Sequence, residues 1–228
     1  MPVASVLHDY YQALYAHFGP CNWWPGDNPF EVVVGVVLTQ STNWRNVEKA
    51  LLNLKAKVEL TPKALWEMHP AELEAAIRPS GFYTLKAKRL RNVLEFFARE
   101  AGTETPPADA GLAFLRGRDA GELRRGLLSV RGIGPESADS ILLYALGLPS
   151  FVIDAYTYRM LHRHGFVEEE AGYAEMQELF HVALPEDASL YNEYHALIVR
   201  LGQFFCRKSR PDCKACPLGP FMDYYSNS

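Results

Sequence analysis

Almost nowhere does this chain alternate apolar and polar residues with the period of two that a half-buried strand requires, and that restricts it to helices. The one ambiguous stretch is Phe30 to Gln40, so apolar that its length fits either a buried strand or a buried helix. Trp44 to Lys55 continues with helical spacing, which favours a helix for both. Val6 to Phe18 reads as a first helix closed by Gly19-Pro20, and Thr61-Pro62 and His69-Pro70 read as helix starts with proline in the first turn. Ser80-Gly81-Phe82-Tyr83 marks a turn before a basic helix, Leu85 to Ala101, and a loop spans Gly102 to Gly111. Short helices then run to Leu128. Ser137 to Leu146 reads as a helix stopped by Gly147-Leu148-Pro149, and Tyr156 to His164, Gly172 to Ala183 and Ser189 to Phe205 complete an all-α pattern.

Between two of these helices lies Val130-Arg131-Gly132-Ile133-Gly134-Pro135-Glu136-Ser137. Two glycines around one apolar residue, followed by proline and a helix-forming run, describe a tight turn feeding a helix N-terminus. Such a turn presents backbone N–H groups at the positive end of the helix dipole, an anion site for which a nucleic-acid phosphate is one candidate. The same residues also suit a plain connector between helices.

Composition bears on that choice. The net charge of −4 runs against the basic footprint of a phosphate binder. The distribution runs the other way. Lys86, Lys88, Arg89, Arg91, Arg116, Arg118, Arg124, Arg125 and Arg131 gather mid-chain, Arg200, Arg207, Lys208, Arg210 and Lys214 near the end, and acidic residues between Glu168 and Glu193. At 228 residues the chain is long enough for one large or two small cores. It has neither an apolar run of membrane-spanning length nor a signal-peptide pattern. The expectation is a soluble, cytoplasmic, nucleoid-associated protein of bacterial type, with no membrane partner.

Cys206-x6-Cys213-x2-Cys216 argues for metal ligation over disulfides in such a setting. Thiolates suit zinc or an iron–sulfur cluster, both of which take four ligands. The remaining cysteine, Cys21, is either that fourth ligand from the far end of the chain or a buried free thiol. Next to it, Trp23-Trp24-Pro25 either plugs a core edge or forms a pocket wall that stacks on a flat ring.

These parts together resemble the helix-hairpin-helix DNA glycosylases of the endonuclease III superfamily, over a span from about Phe30 to Cys216. The resemblance rests on Gly132-Ile133-Gly134, on Asp154 at a following helix start, and on the first three positions of a Cys-x6-Cys-x2-Cys-x5-Cys loop. It implies an endonuclease III-like fold: two helical domains flanking a DNA-binding cleft, with a helix-hairpin-helix motif and a C-terminal cysteine loop. One would be a six-helix barrel domain over 22–148, and the other discontinuous, over 1–21 and 149–228. It implies a [4Fe-4S] cluster on Cys206, Cys213, Cys216 and Cys21, with zinc as the alternative. Met222 stands where the family's fourth cysteine falls. A monovalent cation at the hairpin turn is a further candidate.

Trp23-Trp24-Pro25, Gln40-Ser41-Thr42-Asn43-Trp44 and Ser80-Gly81-Phe82-Tyr83 are similar to the branch containing 3-methyladenine DNA glycosylases. That likeness implies a base pocket of Trp23, Trp24, Pro25 and Trp44, and an electron-poor alkylated purine suits aromatic walls. It implies DNA contacts from Arg131, Gly132, Ile133, Gly134 and Pro135, with Gln40 filling the space of the extruded base. A loop carrying Tyr83 and Thr84 would wedge the other strand.

Asp154 would be the catalytic carboxylate, with Glu136 a further candidate in the site. Bifunctional members carry lysine where this chain has Glu136, so the resemblance implies a monofunctional, monomeric glycosylase acting on damaged double-stranded DNA. The alternatives are an endonuclease III-type glycosylase and abasic-site lyase on oxidised pyrimidines, and a non-catalytic, metal-stapled DNA-binding protein.

Overall fold

The computed structural model describes residues 3–21, 23 and 26–224. Among these residues the regular secondary structure is all helical. In order, the helices are α1 Val3–Phe18, α2 Pro29–Thr39, α3 Trp44–Lys55, α4 Pro62–Glu67, α5 Pro70–Ile77, α6 Tyr83–Ala101, α7 Ala120–Leu128, α8 Pro135–Ser140, α9 Ala155–Arg163, α10 Tyr173–Ala183 and α11 Ala188–Phe204. Short 3-10 turns sit at Arg78–Ser80, Ala113–Leu115 and Gly219–Tyr224, and α8 continues as a π-helical turn over Ile141–Ala145. The chain divides into two compact units, Trp24–Leu148 and the discontinuous pair Met1–Trp23 with Pro149–Ser228.

In the Trp24–Leu148 unit α2 is the axis. Phe30 through Leu38 are all buried, Glu31 included, so this helix is apolar on every face and must be surrounded. Asn28 caps it by accepting from the Glu31 N–H, and Lys55 neutralises the buried Glu31 carboxylate at 3.1 Å. Around it pack Val47, Leu51 and Leu54 of α3, Leu90, Leu94 and Phe97 of α6, and Ile141 and Leu142 after α8. Thr61, His69 and Asp119 cap α4, α5 and α7, each accepting a backbone N–H of the first turn.

In the other unit, Leu7, Tyr10 and Leu14 of α1 pack with Met160 and Leu161 of α9, Phe180 of α10, and Tyr194 and Leu197 of α11. Tyr194 donates its hydroxyl to the Leu7 carbonyl at 2.8 Å, closing the polar end of an otherwise buried ring.

Two expectations change. The basic helix starts two residues early, at Tyr83, because Phe82 takes a left-handed conformation (φ 44°) and turns the chain directly into it. Tyr83, Thr84 and Leu85 therefore form a first helical turn instead of a loop. The mid-chain basic cluster is also not uniformly a surface. Lys86 is 1% exposed, with Nζ donating to the Leu38 carbonyl at 2.8 Å and the Ser80 carbonyl at 2.6 Å. Arg91 donates to the Trp66 and Met68 carbonyls, Arg118 pairs with Glu100, and Arg124 forms a bidentate pair with the fully buried Asp139 at 2.7 and 2.9 Å. Half-buried and buried partners inside the unit thus take up charge that the sequence pattern suggests for solvent.

Candidate active site

The glycine turn is built so that only glycine fits its centre. Gly132 has φ +97°, and a Cβ there would come within 2.5 Å of Arg89 Cγ. Val130 and Ile133 are buried and anchor the turn on either side, and the Ile133 N–H bonds to the Val130 carbonyl at 3.0 Å. Asn92 of α6 holds the Arg131 carbonyl at 2.8 Å. Gly134 caps α8 with no side-chain hydrogen bond, Pro135 occupies the first helical position, and Glu136 stands exposed in the first turn. A Cβ at Gly134 would meet nothing within 4 Å.

Gln40, at the C-terminal end of α2, is drawn into this turn. Its Nε2 donates to the Gly132 carbonyl at 3.1 Å and to Ser137 Oγ at 3.0 Å, while Arg89 donates to its Oε1 at 2.5 Å. Three elements far apart in sequence are fixed to one another by a single amide. Beside them lies a pocket of about 560 Å³ lined by Lys88, Arg89, Asn92, Arg131 and Gly132, a cationic surface next to the turn. Tyr83 receives the Arg78 guanidinium over its ring at 5.7 Å, and Thr84 donates to Glu74 at 3.3 Å.

Of the aromatic pocket residues, Trp24 and Pro25 lie outside the described residues. Trp23 is half-buried. Trp44 is half-buried at the start of α3 and donates Nε1–H to Glu48 at 2.9 Å. It lines an open pocket of about 480 Å³ with Glu31, Glu48, Leu51, Leu52 and Lys55, an apolar and aromatic wall rimmed by Glu48 and the Lys55–Glu31 ion pair.

Asp154 follows an extended, buried segment whose backbone is satisfied by side chains. The Phe151 N–H bonds to His181 Nε2 at 3.1 Å, the Phe151 carbonyl accepts from Gln177 at 2.7 Å, and the Ile153 N–H bonds to the Tyr173 hydroxyl at 3.3 Å. Asp154 then caps α9. Its Oδ1 accepts from the Tyr156 N–H at 2.9 Å, the Thr157 N–H at 2.8 Å and the Thr157 hydroxyl at 3.0 Å. The capping work falls on one oxygen. Oδ2 lies 3.6 Å from Nε2 of His195, a residue of α11 that is 5% exposed. Burial pushes the His195 pKa down and the Asp154 charge opposes that. No local signal marks His195 in the sequence, because a lone histidine in an apolar helix reads as core.

At the C-terminal loop Cys206 is buried, Cys216 half-buried and Cys213 exposed. Cys206 and Cys213 both act electrostatically on Cys216, whose sulfur also takes backbone hydrogen bonds from Leu218 and Gly219, while burial raises its pKa. Arg163 Nη1 lies 3.2 Å from Cys206 Sγ, and its guanidinium also binds the Arg207 and Lys208 carbonyls. Gly219 is needed in this wrap, since a Cβ would sit 2.4 Å from the Cys213 carbonyl. Thiolates neighboured by a guanidinium and backbone N–H groups are a donor set that suits a thiophilic metal. Among the described residues, no three His, Cys, Asp or Glu side chains converge as a metal-holding group. Cys21 has other neighbours: its N–H donates to Glu193 at 2.6 Å, Arg200 and Glu193 act on it, and burial raises its thiol to about 11.

Residues 34–186 match the profile of the HhH-GPD superfamily base excision DNA repair proteins. A protein of Methanocaldococcus jannaschii, whose name is that of a DNA repair glycosylase, is 45% identical over 95% of this chain and 96% of its own length. Endonuclease III of Thermotoga maritima is 27% identical over 87% of this chain and 84% of its own. Among solved structures, the 3-methyladenine DNA glycosylase of H. pylori bound to 1,N6-ethenoadenine superposes with a TM-score of 0.73 at 28% identity, over 89% of this chain and 98% of that one. An endonuclease III–DNA complex shares the fold at a TM-score of 0.79 and 22% identity, over the full length of both.

Proposed function

Because the chain belongs to the HhH-GPD superfamily of base excision DNA repair proteins, and is thereby a DNA glycosylase, we propose that it hydrolytically releases an alkylated, 3-methyladenine-like base from duplex DNA. The observation that carries the hydrolytic reading is the division of labour within Asp154, whose Oδ1 is saturated by the cap while Oδ2 is not. In this reading the glycosidic bond breaks with its electron pair leaving on the base, and the sugar becomes oxocarbenium-like. Asp154 stabilises that cation, and Oδ2 takes the proton of the water that attacks C1′. A base already carrying positive charge needs no further acid catalyst to leave.

The absence of a Schiff-base route is supported by two lysine-related facts. The residue after Pro135 is Glu136. Lys86, whose amine is lowered to about 8 by burial and so lies in a nucleophile's range, is 1% exposed with Nζ bonded to two carbonyls. Trp44 offers an aromatic face that suits a cationic, planar base, and Trp23, Trp24 and Pro25 are the further candidates for base contact. The hairpin from Arg131 to Pro135 would hold phosphate through backbone N–H groups, with or without a monovalent cation. Gln40, Tyr83 and Thr84 would lie against the distorted duplex, and Glu136 would stand near the sugar.

Cys206, Cys213 and Cys216 would hold a [4Fe-4S] cluster, or zinc, with Cys21 the candidate for the fourth position. Such a group would cross-link the C-terminal loop through its thiolates. Arg163 would screen their charge.

The test is a pair of duplexes, one carrying a methylated purine and one thymine glycol, incubated with enzyme with and without borohydride. The reading expects release of the methylated purine with no trapped covalent complex. Preferential attack on thymine glycol with trapping would instead place the protein with the endonuclease III-type lyases.

A further inference from the structure

The two oxygens of Asp154 are not equivalent, and what faces the second one is specific. Oδ1 has three donors, all from the first turn of α9. Those bonds fix where Oδ1 sits and leave Oδ2 outside the cap. His195 faces Oδ2. Its Nε2 is 3.6 Å from Oδ2, and its ring edge packs on Phe151 at a centroid distance of 6.4 Å and an angle of 79°. Phe151 cannot yield. It stacks on Phe180 at 3.8 Å and 6°, and its N–H and carbonyl are tied to His181 and Gln177 of α10. The imidazole is thus wedged between a rigid aromatic pair and the carboxylate.

We infer that His195 is a positioning residue for Asp154. Its ring N–H donates to one lone pair of Oδ2 and leaves the other directed at the attacking water. The present separation is longer than a hydrogen bond, as catalytic pairs commonly are before substrate draws them together. The inference rests on the reading of Asp154 as the group that takes the water proton. Burial favours the neutral ring and the Asp154 charge opposes it. A neutral donor aligns the carboxylate without neutralising it. No proton passes to the imidazole. The water proton goes to Oδ2 as the C1′–O bond forms.

The experiment compares wild type, His195→Phe, which keeps a ring and removes the donor, and His195→Gln, which keeps an amide N–H. Single-turnover release of radiolabelled base from methylated duplex DNA is followed, with binding to an abasic-analogue duplex measured alongside. His195→Phe is expected to slow release by at least tenfold. Affinity should stay within about twofold, and His195→Gln should restore most of the rate. A role in packing alone would alter thermal stability, and His195→Gln would then not restore the rate. Should His195→Phe fail to fold, His195→Asn, whose amide is too short to reach, replaces it. Equal rates for Gln and Asn would then overturn the inference. It is also overturned if His195→Phe keeps the wild-type rate while Asp154→Asn is inactive. An active Asp154→Asn would instead remove the underlying reading of Asp154.

Discussion

Two helix starts in this protein are capped in opposite ways. At α8 the capping residue is Gly134, which contributes no side chain, and a Cβ there would meet nothing within 4 Å. At α9 it is Asp154, which meets its helix with three hydrogen bonds to one oxygen. An N-terminus without a side-chain cap stays available to an external anion, whereas one filled by its own carboxylate repels it. Under the proposed function, this difference is how one chain would separate holding a polyanion from performing chemistry on it: the Gly134 turn would hold, and Asp154, with one oxygen in its cap, would carry the chemistry.

The largest effect expected from breaking this contrast is at α9. Asp154→Asn keeps the capping oxygen and removes the charge, so base release should fall by about a thousandfold or more while DNA affinity changes little. Single-turnover kinetics beside a binding titration check this. The converse change is Gly134→Asp. The site has room for the side chain, and the cap should add roughly a few tenths of a kcal/mol of stability by thermal unfolding. A carboxylate over the donors should at the same time weaken binding by roughly ten- to a hundredfold.

Smaller effects sharpen the contrast within the Asp154-bearing unit. Metal analysis of the protein purified from cells should show Cys216→Ser losing most of its iron or zinc, because its sulfur already takes two backbone N–H groups and feels both neighbouring cysteines. Cys21→Ser, whose thiol sits with Glu193 and Arg200, should lose less. At the far end of α9, His164 is buried against the Tyr10 hydroxyl at 2.6 Å, and burial lowers its pKa to about 4. A histidine depressed in the folded state contributes stability that is full above its ordinary value near 6.5 and is lost as pH falls towards 4. Its share of the slope is at most about 1.4 kcal/mol per pH unit. Urea unfolding of His164→Gln should show a flatter acid limb than wild type.

Much of the fold is legible because its punctuation is local. Thr61-Pro62 and His69-Pro70 cap and open α4 and α5 where the sequence pattern puts them, and α3 runs over Trp44–Lys55 as its spacing predicts. Asp154 stands out for the same reason, as a capping residue before a helix. Residues whose meaning is tertiary are not legible. Lys86 looks like one more cation in a basic helix, yet it is buried and bonded to carbonyls of two other segments. His195 is remote in sequence from Asp154, and only the packing of α11 brings them together. Phe82 hides its role because a left-handed phenylalanine leaves no mark in composition.

The division between holding and chemistry is tested most directly by measuring Gly134→Asp and Asp154→Asn side by side, each for affinity to an abasic-analogue duplex and for base release at saturating enzyme. The account predicts a double dissociation: Gly134→Asp binds weakly but turns over near the wild-type rate once DNA is saturated, and Asp154→Asn binds normally but does not turn over. Loss of both properties in either variant, or turnover in Asp154→Asn, would contradict it.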